Sequence, residues 1–176
     1  PKDKQDGDVD LIVDIAPNKT SKAISIEYND SISEFKWGGL GKDEADFTNS
    51  HTVERHVGLS MSDLKRRIRE EGLVVASSYI NYGSANDSAM DVINSNIDQI
   101  EGWYNNSDNG VLTLKQNIGD VIGYYITTEQ MNVKTDASKA MVILVRNDDK
   151  NRPFYVLTSF PYENKVEKKL RKKYGY

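Results

Sequence analysis

The chain has 176 residues, which is enough for one domain with its own hydrophobic core. It has no cysteine, and this excludes disulfide bonds and thiolate metal sites. A formal net charge of -4 argues against binding nucleic acid through a broad cationic surface. Basic runs at residues 65–69 and 165–173 still allow a local anion site, although each run is also typical of a solvated helix face. No stretch approaches the roughly 20 apolar residues of a membrane-spanning helix, so we expect none.

The first part of the chain differs in pattern from the rest. Apolar runs at residues 11–16 and 23–28, with turn-forming residues between them, predict a hairpin or two short strands. The glycine-containing stretch 37–41 is predicted to be a linker or loop. We therefore expect residues 1–45 to form a separate segment with a role in entry or tethering, and residues 46–176 to form the functional domain.

Three helices are expected after residue 48. In the first, Val53 and His56 fall on one side, Ser50 or Asn49 is the predicted cap, and Gly58 is the predicted end.

The second helix begins at a capping box, in which Ser60 precedes Asp63 by three residues, and it ends at Gly72. An apolar stripe predicts a third helix that is capped by Ser84 and continues to about Tyr104.

Beyond residue 104 the pattern becomes strand and turn. Strands are predicted over residues 111–118, 121–128, 140–146 and 154–160. Helices followed by strands predict an α+β domain with an antiparallel sheet.

The chain contains two histidines, His51 and His56. On a helix, five residues correspond to about 140° of rotation, so the two side chains cannot share a face as zinc-binding pairs do. Because cysteine and acidic metal-loop motifs are also lacking, we expect no metal ion. Histidine suits proton transfer near neutral pH, with an ordinary pKa of about 6.5. Either histidine alone is more typical of a surface residue or a satisfied core residue than of a catalytic one.

A longer pattern surrounds His56. Residues 51–60, then Leu64 and Arg67, then residues 76–79 and 158–161 resemble the ribonuclease A-like domain of bacterial polymorphic and contact-dependent inhibition toxins. The most specific part is His-Val-Gly at 56–58 with an arginine 11 residues after the histidine. The resemblance implies a ribonuclease A-like α+β fold, with N-terminal helices followed by an antiparallel sheet.

The resemblance also implies catalytic roles. His56 becomes the general base or acid, Arg67 stabilises the transition state, and Thr158 holds a phosphate oxygen. Arg66, about 100° away around the helix, is the alternative to Arg67.

The sequence departs from the family pattern at the position of a family tyrosine, which is Phe160 here. A phenyl ring has no proton to give, so the tyrosine's role is either absent or supplied by His51, Tyr162 or another tyrosine. On the same strand face as Thr158, Phe160 is expected to pack against a base.

Two functions follow from the resemblance. The first is a metal-independent endoribonuclease toxin without a cofactor, which cleaves RNA to a 2′,3′-cyclic phosphate. As part of a larger toxin it would reach the cytoplasm of a target cell, and a cognate immunity protein would neutralise it. The alternative, motivated by Phe160, is a catalytically silent module on the same fold that binds RNA or protein.

Overall fold

The computed structural model describes residues 8–13, 22–27 and 31–175. Strands β1 (Asp8–Val13) and β2 (Lys22–Glu27) pair antiparallel, which confirms the two predicted N-terminal strands. The connection between them lies outside the described residues.

The predicted linker is part of the packed structure. Helix α1 (Ser31–Glu34) is followed by an irregular stretch, and helix α2 (Leu40–Asp46) begins inside the predicted linker or loop. Trp37 and Leu40 are buried in the main core, and the Trp37 indole donates to Asp43 at 2.7 Å. Residues 37–39 thus form a loop, as one of the two predicted alternatives has it, but this loop is packed into the structure because Trp37 and Leu40 on either side of the glycines reach the core. The domain division at residue 45 stays a prediction.

Helix α3 (Thr52–His56) forms where it was expected, but its cap differs. The carboxylate of Glu44 accepts hydrogen bonds from the backbone N–H of Val53 at 2.7 Å and of Glu54 at 2.9 Å. The Ser50 hydroxyl instead donates to the Val156 carbonyl at 2.7 Å. The predicted cap was wrong because a carboxylate from α2 serves the helix N-terminus and leaves Ser50 to join α3 to a strand.

Helix α4 (Met61–Glu71) confirms its predicted limits. Ser60 and Asp63 form the reciprocal capping box, and Gly72 ends the helix with a left-handed φ of 65°.

The predicted third helix is in fact two, α5 (Tyr82–Ser95) and α6 (Ile97–Asn106). Asn81, not Ser84, is the cap, and its side chain accepts from the Ser84 backbone N–H at 2.8 Å. At the break, the Asn96 side chain donates to the Val92 carbonyl at 2.7 Å. This side-chain bond takes the place of a helical backbone hydrogen bond to the same carbonyl and so favours a break at Asn96. The predicted apolar stripe therefore spans two helices.

The remaining elements are six strands and a last helix, with the bounds β3 (Val75–Tyr79), β4 (Val111–Asn117), β5 (Gly123–Thr127), β6 (Thr135–Ala137), β7 (Lys139–Arg146), β8 (Phe154–Tyr162) and α7 (Asn164–Tyr174). In the described part of the domain these strands form two antiparallel sheets, ordered β3-β5-β6 and β4-β7-β8. The four predicted strands are present, as β4, β5, β7 and β8, whereas β3 and β6 were not predicted.

The sheet β4-β7-β8 has a core on each side. On one side, Val142 and Val156 pack with residues of α5 and α6 in the main core. On the other, Met141, Phe160 and Leu170 belong to a second cluster that is covered by α7. This arrangement confirms the predicted α+β class with an antiparallel sheet.

Candidate active site

A pocket of about 110 Å³ lies beside the second cluster, where α3, α4, β3, β8 and α7 meet. It brings together His56 and Arg67, two of the predicted catalytic residues. The lining residues are His56, Arg67, Leu73, Val75, Ser77, Phe160, Pro161, Tyr162, Leu170 and Tyr174.

His56 is the last residue of α3 and is held against β3. Its Nδ1 lies 3.2 Å from the Ser77 carbonyl oxygen, and the following Gly58 donates its backbone N–H to the Tyr79 carbonyl at 3.0 Å. Because a carbonyl oxygen can only accept, Nδ1 carries the proton in the neutral ring. Nε2 then keeps its lone pair and is the atom able to act as a base.

The environment keeps His56 uncharged. Burial is the main cause, and the positive charge of Arg67 is the next, so that the pKa of His56 falls from its ordinary value to about 3. Smaller effects of His51 and Arg55 act in the same direction. At neutral pH the imidazole is therefore a base and not an acid.

Arg67 is fixed by its neighbours on α3 and α4. Its Nη1 donates to the Arg55 carbonyl at 2.7 Å, and its Nε donates to Glu71 at 3.2 Å. The Glu71 carboxylate also forms an ion pair with Arg55, so one carboxylate restrains two guanidinium groups. These contacts set the orientation of Arg67 before a ligand binds.

The two candidate arginines have different surroundings. Only 10% of the Arg67 side chain is exposed. The Arg66 side chain is 57% exposed, and its guanidinium pairs with the Asp63 carboxylate at 3.4 Å. Arg66 is not among the residues that line the pocket. The structure therefore places Arg67, and not Arg66, in the same pocket as His56.

A bulge in β8 determines which side chains reach the pocket. Ile143 pairs with Thr158 and Leu144 pairs with Val156, so Leu157 is an extra residue in the strand. One extra residue reverses the alternation of side chains. As a result Val156 points to the main core, while Thr158 and Phe160 share the face of the second cluster.

Thr158 is buried beside the pocket residues of β8 but does not line the pocket. Within the described residues, its hydroxyl oxygen has no hydrogen-bond partner. A buried polar atom without a partner costs free energy, so its presence in a folded protein calls for an explanation. A functional role is one such explanation.

Phe160 packs against His56. The centroids of the Phe160 and His56 rings are 5.4 Å apart, with 35° between the ring planes. Most of the phenyl ring is buried, so its main contact is with His56 and the second cluster.

Tyr162 also lines the pocket. Burial and the negative charges of Glu167 and Glu163 raise the pKa of Tyr162 to about 12. This side chain therefore keeps its hydroxyl proton at neutral pH and can donate it in a hydrogen bond.

His51 lies at the start of α3, outside the pocket lining. Its backbone N–H donates to the carbonyl of the bulged Leu157 at 3.0 Å, and its Nδ1 lies 2.7 Å from the Asn49 carbonyl oxygen. His51 thus joins α3 to the β8 bulge, next to Thr158 in the strand.

Several pocket residues had no catalytic role in the sequence predictions, among them Ser77, Leu170 and Tyr174. Ser77 lies on β3, which is buried on both faces and lacks the polar–apolar alternation of a half-buried strand. Leu170 and Tyr174 lie in the tail that was interpreted as a solvated helix face. Their spacing of four residues, with Val166 four residues earlier, was the signal for a buried row.

Among the described residues, no group of three or more His, Asp or Glu side chains is placed to hold a metal ion. The helices in that part of the chain also include none that is long and apolar enough to cross a membrane.

The fold and the pocket define an α+β domain in which a neutral histidine lies beside an oriented arginine. The model of the bacterial CdiA-CT RNase A domain family matches residues 50–161, which is more than half of the chain. The chain belongs to this family and is a toxin domain of the ribonuclease class. This confirms the resemblance seen in the sequence.

A solved structure has the same fold. The crystal structure of the CdiA-CT/CdiI complex from Y. kristensenii 33638 aligns with a TM-score of 0.61 and 23% sequence identity. The alignment covers 65% of this chain and 100% of that chain. No curated protein matches the chain.

Proposed function

We propose that this toxin domain is a metal-independent endoribonuclease that cleaves RNA by attack of the ribose 2′-hydroxyl on the adjacent phosphate. Membership of the family supports ribonuclease activity. The observation that carries the mechanism is that His56, whose Nε2 is the ring nitrogen with the lone pair, and Arg67 line the same pocket. A base and a fixed cation are the groups that such a reaction requires.

In the proposed reaction, His56 Nε2 removes the proton from the 2′-hydroxyl. The 2′-oxygen then bonds to phosphorus, the bond from phosphorus to the 5′-oxygen breaks, and a 2′,3′-cyclic phosphate remains. Arg67 stabilises the added negative charge through its guanidinium donors. The departing 5′-oxygen takes a proton, and Tyr162 is the candidate donor because it is protonated and lines the pocket.

Thr158 completes the proposed site. Its unpartnered hydroxyl lies on the same strand face as Phe160, and a phosphate oxygen would satisfy it. Because the hydroxyl is buried and Thr158 does not line the pocket, the side chains that cover it would have to move for that bond to form.

Product analysis tests this mechanism. RNA is incubated with the protein in excess chelator, and the new 3′ ends are identified by mass spectrometry. Fragments ending in 2′,3′-cyclic phosphate are expected. Cleavage that requires added metal, or that leaves 3′-hydroxyl ends, would overturn the mechanism.

The biological setting belongs to the same proposal. The domain would be delivered as part of a larger toxin, with residues 1–45 as its entry or tethering segment, and would act on RNA in the target-cell cytoplasm. A cognate immunity protein would block the pocket, and the Y. kristensenii structure, a CdiA-CT/CdiI complex, supports a partner of this kind. Growth arrest on expression of the chain inside cells, lost with His56→Ala, is expected. Unimpaired growth at full expression would count against action in the cytoplasm.

A second candidate function rests on Phe160. The phenyl ring packs on His56 where the family pattern has a tyrosine, so a silent RNA-binding or protein-binding module is the alternative. Phe160→Tyr separates the two. A wild type that binds RNA without cutting it, together with a variant that cuts, would establish the silent module, whereas cleavage by the wild type supports the enzyme.

A further inference from the structure

Helix α7 forms one wall of the pocket. Val166 and Leu170 are buried in the second cluster. Leu170 and Tyr174 line the same pocket as His56 and Arg67. The helix lies beyond residues 50–161, the part of the chain that the family model matches. It is therefore an addition to the matched region that reaches the site.

The rest of the α7 surface is strongly basic. Between residues 165 and 173 there are six of the chain's 23 Lys and Arg residues and one acidic residue, Glu167. This concentration stands out in a chain whose net charge is -4. The six are Lys165, Lys168, Lys169, Arg171, Lys172 and Lys173.

Three of these lysines, Lys165, Lys168 and Lys172, are available to a ligand, and the last two lie on one row of the helix. Lys169 pairs with Glu129 at 2.5 Å, and Arg171 pairs with Glu167 at 3.2 Å. Lys168 and Lys172 are exposed and have no ion pair in the part of the chain that the structure describes. Four residues apart, they lie on one row of the helix, about 6 Å apart along its axis.

The basic face continues towards the pocket. The Lys173 amine donates to the carbonyl of Gly72 at 3.3 Å, at the end of the helix that carries Arg67. The next residue, Leu73, lines the pocket. Positive charge thus extends from the outer surface of α7 to the pocket edge.

We infer that the exposed basic face of α7 binds phosphates of the RNA strand where it continues outside the pocket, and so holds longer substrates more tightly. The inference rests on the proposed ribonuclease function and names its substrate-binding surface. Charge complementarity selects the occupant, because a row of unpaired lysines matches a polyanion that also has to enter the neighbouring pocket.

The test compares two double variants that each remove two positive charges. Lys168→Gln with Lys172→Gln alters α7, and Lys36→Gln with Lys150→Gln is the control at a surface that shares no residue with the pocket. Cleavage of a single-stranded 20-nucleotide RNA and of a dinucleotide is measured from low to moderate salt.

For the α7 variant, KM for the 20-nucleotide RNA should rise at least about threefold at low salt, while kcat and dinucleotide cleavage stay unchanged. The slope of log KM against log salt should decrease by about 1.4, at about 0.7 for each lost phosphate contact on a single strand. The control should behave as the wild type.

An unchanged KM and salt slope in the α7 variant would overturn the inference and leave the ribonuclease function intact. If the variant weakened binding of polyglutamate but not of RNA, the surface would be a site for an acidic protein, and the inference would likewise fail. If the wild type cut no RNA, the proposed function would fail. Binding of the 20-nucleotide RNA to the α7 variant and to the control, measured by fluorescence anisotropy, would then still decide the role of α7.

Discussion

The guanidinium of Arg67 lies in the same pocket as the imidazole of His56, and after burial its charge is the largest cause of the low pKa of that histidine. A phosphate bound to Arg67 would offset this charge. The pKa of His56 would then rise, so the base would become stronger when substrate is present. One contact therefore links substrate binding to proton transfer.

Arg67→Lys should lower kcat/KM for RNA by about 100-fold, because an ammonium group cannot reproduce the two-donor geometry of a guanidinium at a developing charge. Arg66→Lys is the matched control, since Arg66 is exposed and pairs only with Asp63 among the described residues. It should stay within about twofold of the wild type, a typical limit for a surface change. Equal losses in both variants, measured by steady-state cleavage, would show that Arg67 has no special role.

The protonation of His56 can be followed by NMR. Its pKa of about 3 lies below the ordinary value, so the imidazole should remain neutral as pH falls from 7 to 4. Removing the nearby positive charge with Arg67→Gln should move the midpoint upwards. A ring-proton titration of His56 with a midpoint near 6.5 in the wild type would contradict the environment described for it.

The same shift has a consequence for stability. The unfolded chain binds a proton at His56 near its ordinary pKa, whereas the folded chain resists protonation until pH approaches 3. Folding stability therefore decreases as pH falls between these two values, since the unfolded state binds more protons there. In chemical denaturation, His56→Gln should show a smaller loss of stability between pH 7 and pH 4 than the wild type.

Thr158→Val separates a structural role from a functional one. The hydroxyl is buried without a partner in the described structure, so its replacement by a methyl group should leave the free energy of unfolding unchanged or raise it by about 1 kcal/mol. RNA cleavage should nevertheless fall, because the proposed phosphate contact is lost. Unchanged cleavage by this stable variant would remove Thr158 from the active site.

Asp43→Asn should destabilise the fold by about 3 kcal/mol, a typical loss when a buried ion pair is broken. Asp43 is fully buried, pairs with Arg152 at 2.6 Å and accepts the Val156 backbone N–H at 2.6 Å. Asp46→Asn, at an exposed partner of the same arginine, should cost much less than Asp43→Asn. Thermal or urea denaturation distinguishes them, and equal losses would show that α2 is not anchored through Asp43.

Local signals were sufficient for much of the fold. The Ser60–Asp63 box and Gly72 mark the ends of α4, and apolar periodicity located most other helices and strands. The family resemblance, carried in part by the arginine 11 residues after His56, also implied that these two residues would meet.

Features that depend on distant parts of the chain were not predictable in this way. Glu44 caps α3 only because α2 packs beside it, and the β8 bulge at Leu157 becomes visible only in the pairing with β7. The glycines near Trp37 indicated a loop. The burial of Trp37, however, depends on a core that is formed by helices and strands later in the chain. The role of α7 in the pocket likewise depends on packing against β8.

The most direct test of the central claim compares His56→Gln with His51→Gln in single-turnover cleavage of RNA in excess chelator. Because His56 lines the pocket and His51 lies outside it, His56→Gln should reduce the rate at least about 1,000-fold and His51→Gln by less than about tenfold. Circular dichroism would establish that both variants are folded. Cleavage that persists in the folded His56→Gln variant at a rate near that of the wild type would contradict the assignment of His56 as the base.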